Sequence, residues 1–162
     1  MTTPLNEDQQ KTLRSYAWGH FVQHAEQRLK TFNFYVVFCT VLIGAFSTLA
    51  SKDGISANFV LLPLLLSVLS FVFWKLDERT KMLIAVSSDA LRYLDRLALA
   101  DAPPEAQVLG LFAMDDSNTS RQSKYPLLSG HFNYSRVFNW VFGLMGLVGL
   151  AGTLACLLLP QA

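Results

Sequence analysis

Charged residues are distributed very unevenly along this chain, and long stretches contain none. Residues 31–51, 54–74 and 137–162 carry no Lys, Arg, Asp or Glu, whereas the segments between them are rich in all four. These stretches of about 21, 21 and 26 residues match the roughly 20 residues that a helix needs to cross the hydrocarbon layer. The pattern therefore predicts three membrane-spanning helices, at residues 32–50, 57–74 and 137–159.

A helical pattern begins well before the first uncharged stretch. Apolar residues recur there every three or four positions, at Leu13, Ala17, Phe21, Ala25 and Leu29. This spacing predicts a helix with one apolar face over residues 1–30, where Asn6 is suited to cap the first turn. Because no proline separates it from the first span, we expect one continuous helix. A short turn around Gly54 should follow.

The second span also continues into a charged segment, at Phe59–Lys81. The apolar run ends at Trp74, and a dense block of charges follows without a helix breaker. Such a junction is typical of a helix that leaves the membrane, with the indole of Trp74 anchored at the headgroup level. Apolar residues at helical spacing then extend the helix over residues 75–100. The helix should end at Asp101-Ala-Pro-Pro, because a residue before proline avoids the helical region.

The remaining segment, residues 101–130, is predicted to be a cytoplasmic loop. Within it, residues 105–114 could form a short helix that lies on an apolar surface, whereas Asp115–Lys124 is strongly polar.

These elements predict an all-α integral membrane protein, with residues 1–162 as a single helical membrane domain. Its first two helices would extend from the membrane as an antiparallel cytoplasmic hairpin. Folding the chain back at the turn near Asp53 brings Arg28 close to Glu78, and Lys30 close to Asp77, as interfacial charge pairs. The alternative is a soluble bundle of three buried helices, but such helices are usually shorter and carry a polar stripe.

The distribution of positive charge predicts the orientation in the membrane. Lys and Arg number four before the first span, one in the first turn, eight between the second and third spans, and none after the third. Because cytoplasmic segments carry the excess of positive residues, the N-terminus and the long segment should be cytoplasmic and the C-terminus outside. The start of the chain is polar and lacks the apolar core of a signal peptide. We therefore predict a multi-pass protein of the inner (plasma) membrane.

Composition and motifs argue against catalysis. The chain is 52% hydrophobic and 15% charged, against roughly 25% charged residues in soluble domains. It has no phosphate-binding loop, nucleophile elbow, zinc-protease helix or paired-cysteine motif. The predicted spans hold no ionisable Asp, Glu, Lys, Arg or His, which excludes a proton relay built from them. We therefore predict a non-enzymatic protein without a cofactor, and its net charge of +1 gives no reason to expect a nucleic-acid partner.

Two histidines and two cysteines are the remaining candidate ligands. His20 and His24 lie four residues apart, so both rings share one helix face and could bind a metal. Further ligands at suitable spacing are missing, and we expect these histidines to pair with the helix at 75–100 rather than to form a structural metal site. Cys39 and Cys156 fall at different depths of their spans, which disfavours a disulfide.

The third span is rich in glycine, and small residues let helices approach closely in lipid. We predict that these glycines pack against another helix, either of the same chain or of a second copy in a homo-oligomer. They are Gly143, Gly146, Gly149 and Gly152.

Three stretches carry a resemblance to known proteins: HAEQRLKTFNFYVVF (24–38), FWKLDERTKMLIAVSSDALRYLD (73–95) and HFNYSRVFNW (131–140). They resemble a pattern in small bacterial inner-membrane proteins with an aromatic first span, a charged helix after the second span and a late third span. The layout is also similar to the SLATT-type membrane effectors of bacterial conflict systems, in which a membrane hairpin joins cytoplasmic helices. Those effectors are proposed to oligomerise and breach the inner membrane. The present chain differs by its third span and by the lack of a fused sensor domain.

Two functions follow as hypotheses. The protein could be an oligomeric membrane effector or pore subunit of a defence-type system. Alternatively, it could be a membrane scaffold whose cytoplasmic hairpin docks a soluble partner protein.

Overall fold

The computed structural model describes residues 6–100, 103, 105, 110–112 and 134–158. Every regular element among these residues is helical. They are α1 (Glu7–Asp53), α2 (Leu61–Ala98) and α3 (Tyr134–Leu158), with a 3₁₀ turn at Ala57–Phe59 before α2. All three helices are long and apolar enough to cross a membrane. For the part of the chain that the structure describes, the prediction of an all-helical architecture with three such helices is confirmed.

Helix α1 is a single helix of 47 residues. Asn6 begins it, since its carbonyl accepts from the backbone N–H of Gln10 at 2.9 Å. The side chain of Gln9 reaches back to the Asn6 N–H at 3.1 Å, as in one half of a capping box. The predicted continuity of the N-terminal helix with the first span is confirmed. The helix runs through Asp53, and Gly54 then turns the chain with a φ of 74°, which glycine adopts without steric cost.

Helix α2 begins beyond a short cap and is also uninterrupted. Ser56 caps the preceding 3₁₀ turn by accepting from the N–H of Asn58. Pro63 is the third residue of α2, within the first turn, where its missing N–H costs little. The helix continues past Trp74 into the charged segment and ends at Ala98, so the predicted continuity at this junction is confirmed as well.

Helix α3 begins at Tyr134, three residues before the predicted start of the third span. Most of the predicted loop at 101–130 lies outside the described residues, including Val108 and Leu109 of the predicted short helix. Leu111 and Phe112, which belong to the same predicted helix, are helical.

The chain divides into two compact units. Unit 1 comprises Met1–Gln27 and Thr80–His131, and unit 2 comprises Arg28–Arg79 and Phe132–Ala162. Helices α1 and α2 each contribute residues to both units. The core of unit 2 includes Tyr35, Leu66, Phe138 and Phe142.

The outward surfaces of the helices are strongly apolar. Val41, Phe71 and Leu147 are 61%, 57% and 65% exposed. Soluble monomers rarely expose contiguous apolar surface on this scale. Cys39 and Cys156 are both buried and free.

Candidate functional site

Polar and charged side chains are buried at several points between α1 and α2. Because the surrounding residues are mostly apolar, each buried polar group needs a partner to offset the loss of water. All buried side-chain nitrogen and oxygen atoms among the described residues have one. These polar contacts are the candidate functional site, and they are described unit by unit below.

In unit 2, Arg28 of α1 forms a two-pronged ion pair with Asp77 of α2. The Nε–Oδ1 distance is 2.6 Å and the Nη2–Oδ2 distance is 3.3 Å. Only 4% of the Asp77 side chain is exposed, and 16% of the Arg28 side chain. The guanidinium carbon also lies 4.9 Å from the ring centre of Phe138, which stacks on Phe32. One arginine thereby contacts both α2 and α3.

The predicted partner of Arg28 was wrong by one residue. Arg28 pairs with Asp77, whereas Glu78 binds Lys75 of its own helix at 2.8 Å. Neighbouring residues of a helix point about 100° apart, so only one of the two carboxylates can face α1. The predicted pairing of Lys30 with Asp77 stays a prediction, and both residues have further interactions in the structure.

Deeper in unit 2, the side chain of Tyr35 is fully buried against Phe73 and Phe142. Its hydroxyl lies 2.8 Å from the hydroxyl of Ser70. Ser70 donates its own hydrogen to the carbonyl of Leu66, four residues earlier, at 2.8 Å. Tyr35 is therefore the donor in the bond between α1 and α2.

In unit 1, His20 and His24 form a small network with α2. The Nδ1 atom of His20 is 2.5 Å from the hydroxyl of Ser87, and the Nδ1 atom of His24 is 3.2 Å from the Oε1 atom of Gln27. The two Nε2 atoms are 3.1 Å apart. The expected pairing of these histidines with the helix at 75–100 is observed for His20.

A second polar cluster of unit 1 surrounds Asp95, which is 2% exposed. Its Oδ1 atom forms an ion pair with Arg14 of α1. Its Oδ2 atom accepts from the backbone N–H of Phe112 at 3.3 Å, and Arg92 donates to the Phe112 carbonyl at 3.1 Å. The Phe112 ring packs edge-on against Trp18 and Phe21 of α1. This cluster therefore attaches residue 112 to α1 and α2.

An apolar groove of about 370 Å³ lies beside the histidines in unit 1. Its lining includes Leu13, Tyr16, His20, Val86 and Tyr93. Tyr16 and Tyr93 are 73% and 62% exposed. The groove therefore offers aromatic surface next to a polar edge.

Among the glycines of α3, Gly149 lies closest to α2. A β-carbon built there would lie 2.7 Å from the carbonyl oxygen of Pro63 and 2.7 Å from the backbone nitrogen of Ser67. At Gly152 it would lie 2.9 Å from the Pro63 side chain, and at Gly146 it would make an ordinary contact with Ser70. At Gly143 nothing lies within 4 Å. The four predicted packing glycines thus have different surroundings.

Trp74 is half-buried, with Phe71 packed on one side and the Lys75 ammonium 4.7 Å from its ring centre. It also packs against the core of unit 2. Its predicted role as an interface anchor stays a prediction.

The burial of Ser70, Ser87 and Asp95 was not predicted from the sequence. Ser70 and Ser87 lie in helical stripes that otherwise read as apolar, and Asp95 lies among the basic residues of a charged helix. A polar residue within an apolar stripe was the available signal of burial. Its partner could not be identified from the sequence, because the partner lies on another helix far away in the chain.

The fold and the polar contacts define an α-helical protein with three helices of membrane-spanning length. The chain is similar to the CD-NTase-associated protein 19 of Escherichia coli, with 26% identity over 136 residues that cover 83% of this chain and 84% of that protein. No family model matches the chain, and no solved structure matches it.

Proposed function

We propose that this protein is a non-enzymatic inner-membrane protein of a bacterial defence system, in which it acts as an oligomeric membrane effector or pore subunit. The similarity to CD-NTase-associated protein 19 carries this proposal, because it extends over most of both chains. By its name, that protein is associated with a CD-NTase, and we extend the same kind of partner to the present chain. The SLATT-like layout of the sequence points in the same direction.

In the proposed arrangement, residues 32–50, 57–74 and 137–159 lie in the bilayer. The helices at 1–30 and 75–100 form an antiparallel hairpin in the cytoplasm. Contacts within each unit support the antiparallel direction, since residue numbers rise along α1 as they fall along α2. The pairs are Arg14–Asp95 and His20–Ser87 in unit 1, and Arg28–Asp77 and Tyr35–Ser70 in unit 2. The distribution of Lys and Arg supports the cytoplasmic side.

The two faces of α3 differ, and the exposed face supports assembly of several copies. One face packs in the core of unit 2 through Phe138 and Phe142. The other face is exposed and presents apolar residues at spacings of three and four, at Trp140, Leu144, Leu147, Ala151, Leu154 and Leu158. Because the spans contain no Asp, Glu, Lys, Arg or His, one copy supplies little polar lining, and a pore would need several copies arranged around a lumen.

The effector proposal is tested by inducing the chain in bacteria together with a candidate CD-NTase partner. We expect loss of membrane potential, measured with a potential-sensitive dye, only when both proteins are present and the nucleotidyltransferase is active. An inactive nucleotidyltransferase is the control. Unchanged potential and growth with both proteins present would contradict an effector. Mass measurement of the chain in nanodiscs should then show a closed assembly of several copies.

The scaffold function remains a second candidate because unit 1 exposes aromatic residues around its groove. Tyr16 and Tyr93, which line the groove, are both more than half exposed, and aromatic residues are enriched where proteins bind one another. A stable complex with one soluble protein, lost on replacement of Tyr16 and Tyr93 by serine, would favour the scaffold. Intact membrane potential under the conditions above would be its second signature.

A further inference from the structure

The positions of the protons in the histidine network of unit 1 follow from its hydrogen bonds. Ser87 has one hydroxyl hydrogen, and it donates this hydrogen to the carbonyl of Leu83 at 3.0 Å. Its oxygen must therefore accept from His20, whose Nδ1 carries a hydrogen. The Oε1 atom of Gln27 is an acceptor, so the Nδ1 of His24 carries a hydrogen as well.

A neutral imidazole with its hydrogen on Nδ1 has a lone pair on Nε2. The two Nε2 atoms of His20 and His24 are 3.1 Å apart, and their ring centres are 4.3 Å apart. Two lone pairs at this distance repel each other unless a hydrogen or a metal ion lies between them.

The distances suit a metal ion. Two nitrogens bound to one zinc ion at about 2.0–2.1 Å lie about 2.9 Å apart at a right angle and about 3.3 Å apart at the tetrahedral angle. The observed 3.1 Å falls between these values. In metal sites, the other ring nitrogen of each histidine usually donates to an oxygen, which fixes the tautomer and the ring orientation. Ser87 and Gln27 supply those oxygens here.

We propose that His20 and His24 bind one divalent transition-metal ion through their Nε2 atoms, with Ser87 and Gln27 orienting the rings. The described residues contain no cluster of three or more His, Cys, Asp and Glu side chains. The remaining coordination positions would be open to water, and both histidines are exposed enough to admit it. Imidazole ligands select zinc, copper or nickel over magnesium or calcium.

This ion would bridge one turn of α1, and through His20 it would favour the contact with Ser87 of α2. Binding to the folded state alone stabilises that state by mass action. Metal occupancy should therefore raise the thermal stability of the chain. The site is independent of whether the protein is an effector or a scaffold.

The test is a zinc titration of the full chain, purified in detergent with a tag that contains no histidine and monitored with a competing zinc dye. We expect one ion per chain, a higher melting temperature with zinc and no response to magnesium. The variant Ser87→Ala should lose roughly 10–100-fold in zinc affinity, as is typical when a residue that orients a ligand is removed. The variant His24→Gln should lose at least as much.

The matched control exchanges the residues at positions 24 and 27, as the double variant His24→Gln with Gln27→His. It keeps the composition of the chain but places the second imidazole two turns from His20, where the two rings cannot share an ion. Equal zinc affinity of this variant and the parent chain would overturn the proposal. Failure of the parent chain to bind zinc would also overturn it, and would assign the contact between the two Nε2 atoms to a hydrogen bond. Circular dichroism of each variant checks that its helices are retained.

Discussion

At the scale of single residues, the buried polar groups follow one rule. Ser70 and Ser87 each donate to a carbonyl of their own helix and accept from a side chain of α1. Asp77 and Asp95 each accept from an arginine of α1. Helix α2 therefore supplies the acceptors and α1 the donors, which fixes the register between the two helices within each unit.

We predict that Asp77→Asn destabilises the protein much more than Glu78→Gln. Removal of one partner of a buried ion pair leaves the other charge uncompensated and costs about 3–5 kcal/mol. Glu78 is 43% exposed and pairs within its own helix, an interaction worth roughly 0–1 kcal/mol. Unfolding in mixed detergent micelles measures both variants. Similar losses of stability for the two variants would show that the buried pair of Arg28 and Asp77 contributes no more than the exposed pair of Lys75 and Glu78.

We also predict opposite tolerance at two glycines of α3. The variant Gly149→Ala places a methyl group against the backbone of Pro63 and Ser67, and overpacking of this kind costs about 1–3 kcal/mol. The variant Gly143→Ala meets nothing within 4 Å and should not lower the melting temperature, because alanine favours a helix over glycine by about 1 kcal/mol. If Gly149→Ala were equally neutral, α3 would not pack on α2 as described.

At the scale of the helices, continuity was predictable from the sequence because it depends on local features. Prolines and charge blocks are visible in the chain, so the uninterrupted course of α1 and of α2 past Trp74 could be inferred. The partner of Arg28 could not be fixed to the residue, because it depends on the rotation of each helix about its axis. The role of Phe112 in binding Asp95 through its backbone could not be predicted either, because backbone groups leave no mark in a sequence.

The pairing of α1 with α2 predicts a specific cross-link. In a chain with Cys39 and Cys156 replaced by alanine, cysteines in place of His20 and Ser87 should be joined rapidly by a short bifunctional maleimide. The two positions face each other in unit 1, with their side chains 2.5 Å apart. A chain with cysteines in place of Gln23 and Ser87 is the control, because Gln23 is exposed on α1. Gel mobility reports the product, and equal rates would argue against the pairing.

At the scale of the whole molecule, the proposed topology predicts which residues can be reached from each side of the membrane. In the same cysteine-free chain, a single cysteine in place of Lys52 should react with an impermeant maleimide added to cells whose outer membrane has been opened. A single cysteine in place of Gln23 should react only after the inner membrane is also permeabilised. Both positions are exposed, so access alone decides the result. The reverse pattern would invert the proposed orientation.

The contact of Gly149 with Pro63 and Ser67 also has a consequence for the evolution of the sequence. A larger residue at position 149 is acceptable only if the first turns of α2 move away, which requires changes at positions 63 and 67. Positions in contact tend to change together among related chains. Among homologues of this protein, these three positions should therefore vary as a group, while position 143 varies independently of them.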